Sequence, residues 1–280
     1  MRAPGSLPVY AVLESGARRV RVRPGTRDVH EALAGAGVAV YTAMACVGPA
    51  GVVSLSAHLA RLADSCRRAG LSVPDPVHLR RALADVVATV GPDGCMLRLE
   101  VRAVPAPRVE SDATILLASW PARTRDARDG VAVVTSPGAR RIRPRVKSSA
   151  WITERGQWLD TTPADEHVLV DAQGEMLEGF TSNLLGVVGE EIWSPEAGVL
   201  PGVTLGRVLE LCEDLGLKVR RRPIPRDRRL SELALTSAGR GIWPVVSVDA
   251  QPVGTGRPGP VVQQLLRAWE RALPGWVEPP

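Results

Sequence analysis

Residues 32–57 carry no Asp, Glu, Lys or Arg, a run long enough to cross a bilayer, and its content decides what the first part of the chain can become. Alanine and glycine dominate it, and Gly-Pro-Ala-Gly at 48–51 cuts it into VAVYTAMACV and VVSL. Two strand-like runs around a Gly/Pro turn predict a buried hairpin, not a membrane span. The whole chain has 280 residues, 45% hydrophobic and 23% charged, enough for two modest lobes or one large domain. A disordered or collagen-like chain is excluded.

The pattern around the hairpin alternates between strands and helices. VYAVL opens as a short strand. In SLSAHLARLADSCRRAG, Leu59, Leu62, Ala63 and Cys66 recur at helical spacing and Gly70 is a stop. His58, Arg61, Ser65 and Arg68 share the polar side of that helix, which is expected to face water. A second helix over 75–90 leads to CMLRLEVRAV, where strict alternation predicts a half-buried strand with Arg98, Glu100 and Arg102 on its solvated face. ATILLAS is the next strand. The charged run WPARTRDARDG then suggests an interdomain linker at 121–130, dividing a domain at 1–120 from a larger one at 131–280.

Beyond the linker, VAVVTS reads as a strand and 151–165 as partly helical. HVLVD, EMLEG, NLLGVV and IWSP read as successive antiparallel hairpins. A Leu-Pro-Gly turn opens a helix with the stripe Leu205, Val208, Leu209 and Cys212, ended by Gly216. LALTS and PVVSV are further strands, and a final amphipathic helix falls near 258–272.

Charge and rare residues narrow the function. Lys and Arg number 35 against 30 Asp and Glu, and the basic excess is dispersed without interleaved aromatics, which argues against a nucleic-acid partner. Cys46, Cys66, Cys95 and Cys212 lie far apart with no CxxC, and His30, His58, His78 and His167 form no ligand spacing. No metal site is predicted. The start lacks a compact apolar signal core, so a cytoplasmic protein with reduced thiols is expected. Only Lys147 and Lys218 are lysines, leaving 33 arginines. Almost every site that needed only a cation is therefore Arg, and a surviving Lys is a candidate for chemistry that Arg cannot do: losing a proton, attacking a carbonyl, acting as a base. Asn183 is the only asparagine.

Four separated signals, in one order over roughly 37–260, resemble the class IV (fold-type IV) pyridoxal-phosphate enzymes, which include branched-chain and D-amino-acid aminotransferases and aminodeoxychorismate lyase. They are SAHLARL with Arg61, VKSS with Lys147, LEGFTSNL with Glu178, and the pair VLPGVTLGR and LALTSAGRGIWPV. The resemblance implies an α/β (α+β) fold of two lobes, a smaller N-terminal α/β lobe and a larger C-terminal lobe of antiparallel strands with helices, with pyridoxal 5'-phosphate in the cleft and a homodimeric assembly. It places Lys147 where the family forms its internal aldimine and Glu178 beneath the pyridine nitrogen. It gives the phosphate to the backbone N–H groups of Val203 and Thr204 and to Arg61. Ala238 stands where a phosphate-binding Thr is common, a departure that Thr236, Ser237 or Arg240 could offset, and Arg240 could instead take a substrate carboxylate. KSSAW lacks the Asn or Tyr often found just past the lysine. Trp151 either walls the site or fills core. Tyr41, Thr42, Arg102 and Arg108 are the remaining candidates for substrate binding.

The function implied is amino transfer between an amino acid or amine and a keto acid. The alternative is a lyase that releases pyruvate, close to aminodeoxychorismate lyase, because VVSLSAHLARLADSCRR resembles that branch. A third reading, prompted by Ala238 and KSSAW, is a cofactor-free relative acting as a binding protein or with different chemistry.

Overall fold

The computed structural model describes residues 7–121, 129–159, 162–227 and 229–280. The expected linker at 121–130 lies for the most part outside the described residues. The chain divides into two compact units, Met1–Ala122 with Val146–Thr153 and Trp276–Pro280, and Arg123–Arg145 with Glu154–Gly275. This differs from the sequence division at 131 in two places. The segment carrying Lys147 and the last residues both pack with the first unit, because each pairs with a strand there.

The first unit is built on β1 (Val9–Leu13), β2 (Gly16–Arg19), α1 (Val29–Leu33), β3 (Ala39–Cys46), β4 (Val52–Val53), α2 (Leu55–Ala69), α3 (Pro76–Val87), β5 (Cys95–Arg102) and β6 (Ile115–Trp120). The returning segment adds α4 (Ala150–Glu154). Its sheet is antiparallel, in the order Val277–Glu278, β4, β3, β5, β6, β1, β2. The predicted hairpin is β3 and β4, meeting at Cys46 and Val52 around the Gly48–Ala50 turn. Gly70 ends α2 with φ 72°, a left-handed conformation that costs glycine little.

Alternate residues of each strand face opposite sides. Val40, Met44, Leu97, Leu99 and Leu117 pack with Leu55, Leu59 and Leu62 of α2 and with α3, whereas Leu116 and Ala118 pack with Val29 and Leu33 of α1. Both faces of the sheet are covered, and that overturns two expectations. Arg98, Glu100 and Arg102 are 1%, 0% and 3% exposed, not solvated. They tolerate burial because Glu100 pairs with both arginines and accepts from Ser149 Oγ at 3.0 Å. On α2, His58 and Ser65 are buried and Arg61 is half-buried, because this side of the helix faces β3 and the Lys147 segment. Only Arg68 among the four is exposed, in an ion pair with Asp64.

The second unit comprises β7 (Val131–Thr135), α5 (Gly156–Leu159), β8 (Glu166–Val170), β9 (Met176–Gly179), β10 (Asn183–Val188), β11 (Glu191–Trp193), α6 (Val203–Asp214), β12 (Val219–Arg220), β13 (Leu230–Ser237), β14 (Gly241–Val248), β15 (Gln251–Pro252) and α7 (Pro260–Ala272). The hairpins β8–β9, β10–β11 and β13–β14 are antiparallel, as their alternation and turns predict. β7, however, pairs in parallel with β8 and β14, and β11 with β12, so this unit is mixed and not purely antiparallel. Six strands run in a closed ring, β10, β13, β14, β7, β8, β9, sealed where Glu178 of β9 pairs with Asn183 of β10. Val131, Val168, Met176, Leu184 and Leu233 belong to one buried cluster. The first turn of α7 is held by buried Glu232, which accepts from the N–H groups of Val261 and Val262 at 3.1 and 2.7 Å, an anion set against a helix N-terminus.

Candidate active site

β4 is two residues long and meets β3 only at Cys46, so much of that edge of β3 is left for another partner. The Lys147 segment takes it. Tyr41 N–H donates to the Lys147 carbonyl and Ser149 N–H to the Ala39 carbonyl, both at 2.9 Å, while Lys147 N–H reaches Ser65 Oγ of α2 at 3.3 Å. Lys147 is thereby fixed through its backbone between β3 and α2. Its Nζ lies 5.0 Å from the Tyr41 ring centroid, and the Arg98 guanidinium lies 4.2 Å from the same ring. Lys218 is a different case: it is 63% exposed and pairs with Glu191 at 2.8 Å, an ordinary surface ion pair. The two lysines singled out by their rarity thus part ways.

Thr42 and Val40 point to the α2 side of β3. Arg61 Nη2 donates to Thr42 Oγ1 at 2.8 Å, and His58 Nδ1 lies 2.8 Å from the same oxygen. Burial first, then the charges of Arg61 and Lys147, hold the His58 imidazole well below its usual pKa, so the ring is neutral near pH 7. Lys147, Arg61, Tyr41 and Thr42, four residues expected in the site, meet in this one region. Trp151 is 4% exposed and fills core. Arg102 is tied to Glu100, to the Leu33 carbonyl at 2.8 Å and to the Val104 carbonyl at 3.1 Å. Arg108 is 44% exposed and pairs with Glu31 at 3.4 Å. Neither of these two joins the group around Lys147. An apolar groove of about 330 Å³ between α2 and α3, lined by Leu59, Leu62, Val73 and Leu79, contains none of the expected site residues.

In the second unit Glu178 is 1% exposed at the seam of the ring. Arg141 Nε donates to its Oε1 at 2.6 Å, and Oε2 accepts from Leu200 N–H at 3.0 Å and Asn183 Nδ2 at 3.3 Å. Asn183 also donates to the Leu200 carbonyl at 2.8 Å, so it ties Glu178 to the turn before α6. At Gly202, the residue preceding α6, a Cβ would overlap Asn183 Oδ1, and among the described residues no side chain caps the helix. The amides of Val203 and Thr204 open this uncapped helix. Thr236 is 1% exposed and its Oγ1 has no hydrogen-bond partner among the described residues, which is costly unless something else meets it. Ser237, the next residue, is half-buried. Arg240 stacks on Trp243 and reaches Glu166 at 3.2 Å.

Sequence reasoning missed Arg141, Glu166 and His58. Arg141 sits in the run RRIRPR, where nothing separates one arginine from the next. Glu166 begins an ordinary strand, yet it gathers Thr181, Ser182 and Arg240. Asn183 did carry a signal, as the only asparagine of the chain. Among the described residues no cluster of His, Cys, Asp or Glu could hold a metal, and no helix is long and apolar enough to cross a membrane.

Comparison with known proteins adds a second line of argument. The family described as amino-transferase class IV matches residues 39–248. The D-alanine aminotransferase of Bacillus licheniformis is 27% identical over 237 residues, 79% of this chain and 82% of that protein. The branched-chain-amino-acid aminotransferase of Escherichia coli (strain K12) is 31% identical over 117 residues, 40% of this chain and 38% of that protein. Among solved structures, the T.th. branched-chain amino acid aminotransferase with pyridoxamine 5'-phosphate shares the fold at a TM-score of 0.79, with 22% identity and 99% of both chains covered.

Proposed function

The chain belongs to the class IV aminotransferase family and is an enzyme of that family, and from this premise we propose that it moves an amino group between an amino acid or amine and a keto acid with pyridoxal 5'-phosphate as cofactor. The observation that carries the reading is Lys147: in a chain that uses Arg almost everywhere, this lysine is anchored by its backbone to β3 and α2 beside Arg61 and neutral His58. The residues of each unit also fit the group. A buried threonine hydroxyl without a partner among the described residues, a helix α6 with no side-chain cap among them and a glycine position with no room for a Cβ suit a phosphate at Thr236, Gly202, Val203 and Thr204.

When bound, the cofactor supplies an aldehyde and a ring that can accept electrons from the substrate carbon. Lys147 Nζ is the amine that would capture the aldehyde, and once displaced it would take and return the proton at the substrate α-carbon. Glu178, oriented by Arg141, Asn183 and the Leu200 N–H, would hold a proton on the pyridine nitrogen. In the first unit Arg61 would clamp a phosphate with its planar fork; in the second, Val203, Thr204, Thr236 and Ser237 would offer N–H and hydroxyl donors to such a group. Tyr41 would line the substrate side. The reading includes a homodimer in the cytoplasm; the exposed, uncharged residues 34–38 suit an interface between copies.

Borohydride reduction of the protein with added pyridoxal 5'-phosphate, followed by peptide mass mapping, tests this. The expected result is the cofactor mass on the peptide bearing Lys147, lost in Lys147→Ala, and conversion of an amino donor to its keto acid without pyruvate release from aminodeoxychorismate. A label on Lys218 alone would defeat the proposal.

A further inference from the structure

Arginine has a long side chain with many rotamers, and a bidentate contact to a phosphate demands one of them. The structure contains a device that selects it. Arg61 Nη2 donates to Thr42 Oγ1 at 2.8 Å, and a guanidinium only donates. The Thr42 hydroxyl therefore accepts from Arg61, and its single proton is left for its other neighbour, His58 Nδ1, at 2.8 Å. Thr42 Oγ1 has no other hydrogen-bond partner among the described residues, so its proton is satisfied only if that nitrogen accepts, which puts the imidazole proton on Nε2 and leaves the ring neutral. Arg61 Nη2 also lies 3.4 Å from His58 Nδ1, the same acceptor. Thr42 is 0% and His58 3% exposed, so the direction of this relay does not compete with bulk water. Both acceptors are uncharged, and they orient the guanidinium without cancelling the charge an anion needs.

Resting on the reading of Arg61 as the phosphate clamp, we propose that Thr42 and His58 are positioning residues that fix the rotamer of Arg61, so that Thr42 serves phosphate recognition through Arg61 and not substrate binding directly. Three consequences follow from the chemistry. The loss in a Thr42 variant is confined to ligands that carry the phosphate. Serine, which keeps the hydroxyl, restores it. His58 holds the Nε2-protonated tautomer.

The test compares the affinities of cofactor-depleted full-length protein for pyridoxal 5'-phosphate and for pyridoxal, by absorbance titration, in wild type, Thr42→Val, Thr42→Ser, His58→Gln and Arg61→Gln. The expected outcome is that Thr42→Val reduces the preference for the phosphorylated ligand by about tenfold, leaves pyridoxal binding within twofold, and is rescued in Thr42→Ser. Arg61→Gln abolishes most of the preference. If Arg61→Gln keeps the wild-type preference, the clamp assignment itself fails. If Arg61→Gln loses it while Thr42→Val keeps it, or if Thr42→Val weakens both ligands equally, the positioning role is overturned and the clamp survives. Should Thr42→Val not fold, ¹⁵N NMR of His58 in wild type decides: a protonated Nδ1 refutes the relay, and an unprotonated Nδ1 with protonated Nε2 supports it.

Discussion

Replacing Glu100 by glutamine should destabilise the protein far more than a surface-strand position would allow. Glu100 is completely buried; Arg98 and Arg102, with side chains 2% and 1% exposed, share its carboxylate, and Ser149 donates to it at 3.0 Å. Glutamine keeps the shape but removes the only negative charge of the triad and turns an N–H donor toward guanidinium groups that can only donate. Two buried positive charges remain next to each other. Breaking a buried pair in this way costs about 3–5 kcal/mol, and at about 2–4 °C per kcal/mol for a chain of this size the melting temperature should fall by roughly 6–20 °C. Thermal and urea unfolding of wild type and Glu100→Gln at pH 7 measure it. The triple variant Arg98→Met, Glu100→Leu, Arg102→Met removes every charge at once and should recover most of the loss. A Glu100→Gln penalty below about 1 kcal/mol would mean that the triad is hydrated, as strand alternation alone suggests, and would refute the argument from burial.

Two other perturbations follow from protonation. Because the folded pKa of His58 lies well below 6.5, the unfolded chain binds the extra proton first as the pH drops, and stability should decline from about pH 6.5 downward by up to about 1.4 kcal/mol per unit; urea midpoints between pH 7.5 and 5.0 should slope less in His58→Gln, and an unchanged slope would place the titration elsewhere. Burial raises the thiol of Cys66 to about 11 and that of Cys212 to about 12, so at pH 8 their thiolate fractions are on the order of 10⁻³ and 10⁻⁴; native-state titration with an aromatic disulfide reagent should leave both unmodified until denaturant is added, and prompt labelling of either contradicts that environment.

Features set by neighbours in sequence were legible in it. The stripe Leu59, Leu62, Cys66 with Gly70 beyond it specifies α2 because helical period and the left-handed cap are local properties. Turn chemistry located the β3–β4 hairpin equally well. What required partners distant in sequence was not legible: alternation in CMLRLEVR marks a strand but cannot tell water from α1 and Ser149 as the layer over Arg98 and Glu100. The parallel pairing of β7 with β8 and β14 left no periodic trace for the same reason. In the site, Lys147 stood out because lysine is scarce here, whereas Arg141, which holds Glu178, was hidden by the abundance of arginine. Thr42 was noticed as a substrate candidate, but its hydroxyl turns out to be engaged by Arg61 and His58.

The strand Val277–Glu278 is hydrogen-bonded to β4, the outer strand of the β3–β4 hairpin. During synthesis β4 leaves the ribosome with its outer edge bare, and its mate is translated about 220 residues later, an interval of roughly 10–45 s at 5–20 residues per second. Hairpins form in microseconds, so the nascent N-terminal sheet must wait, edge open, for its closing strand. Lys147, in the other late-arriving piece of that unit, is made in the middle of this delay, and the amine meets its neighbours on a scaffold that is still incomplete.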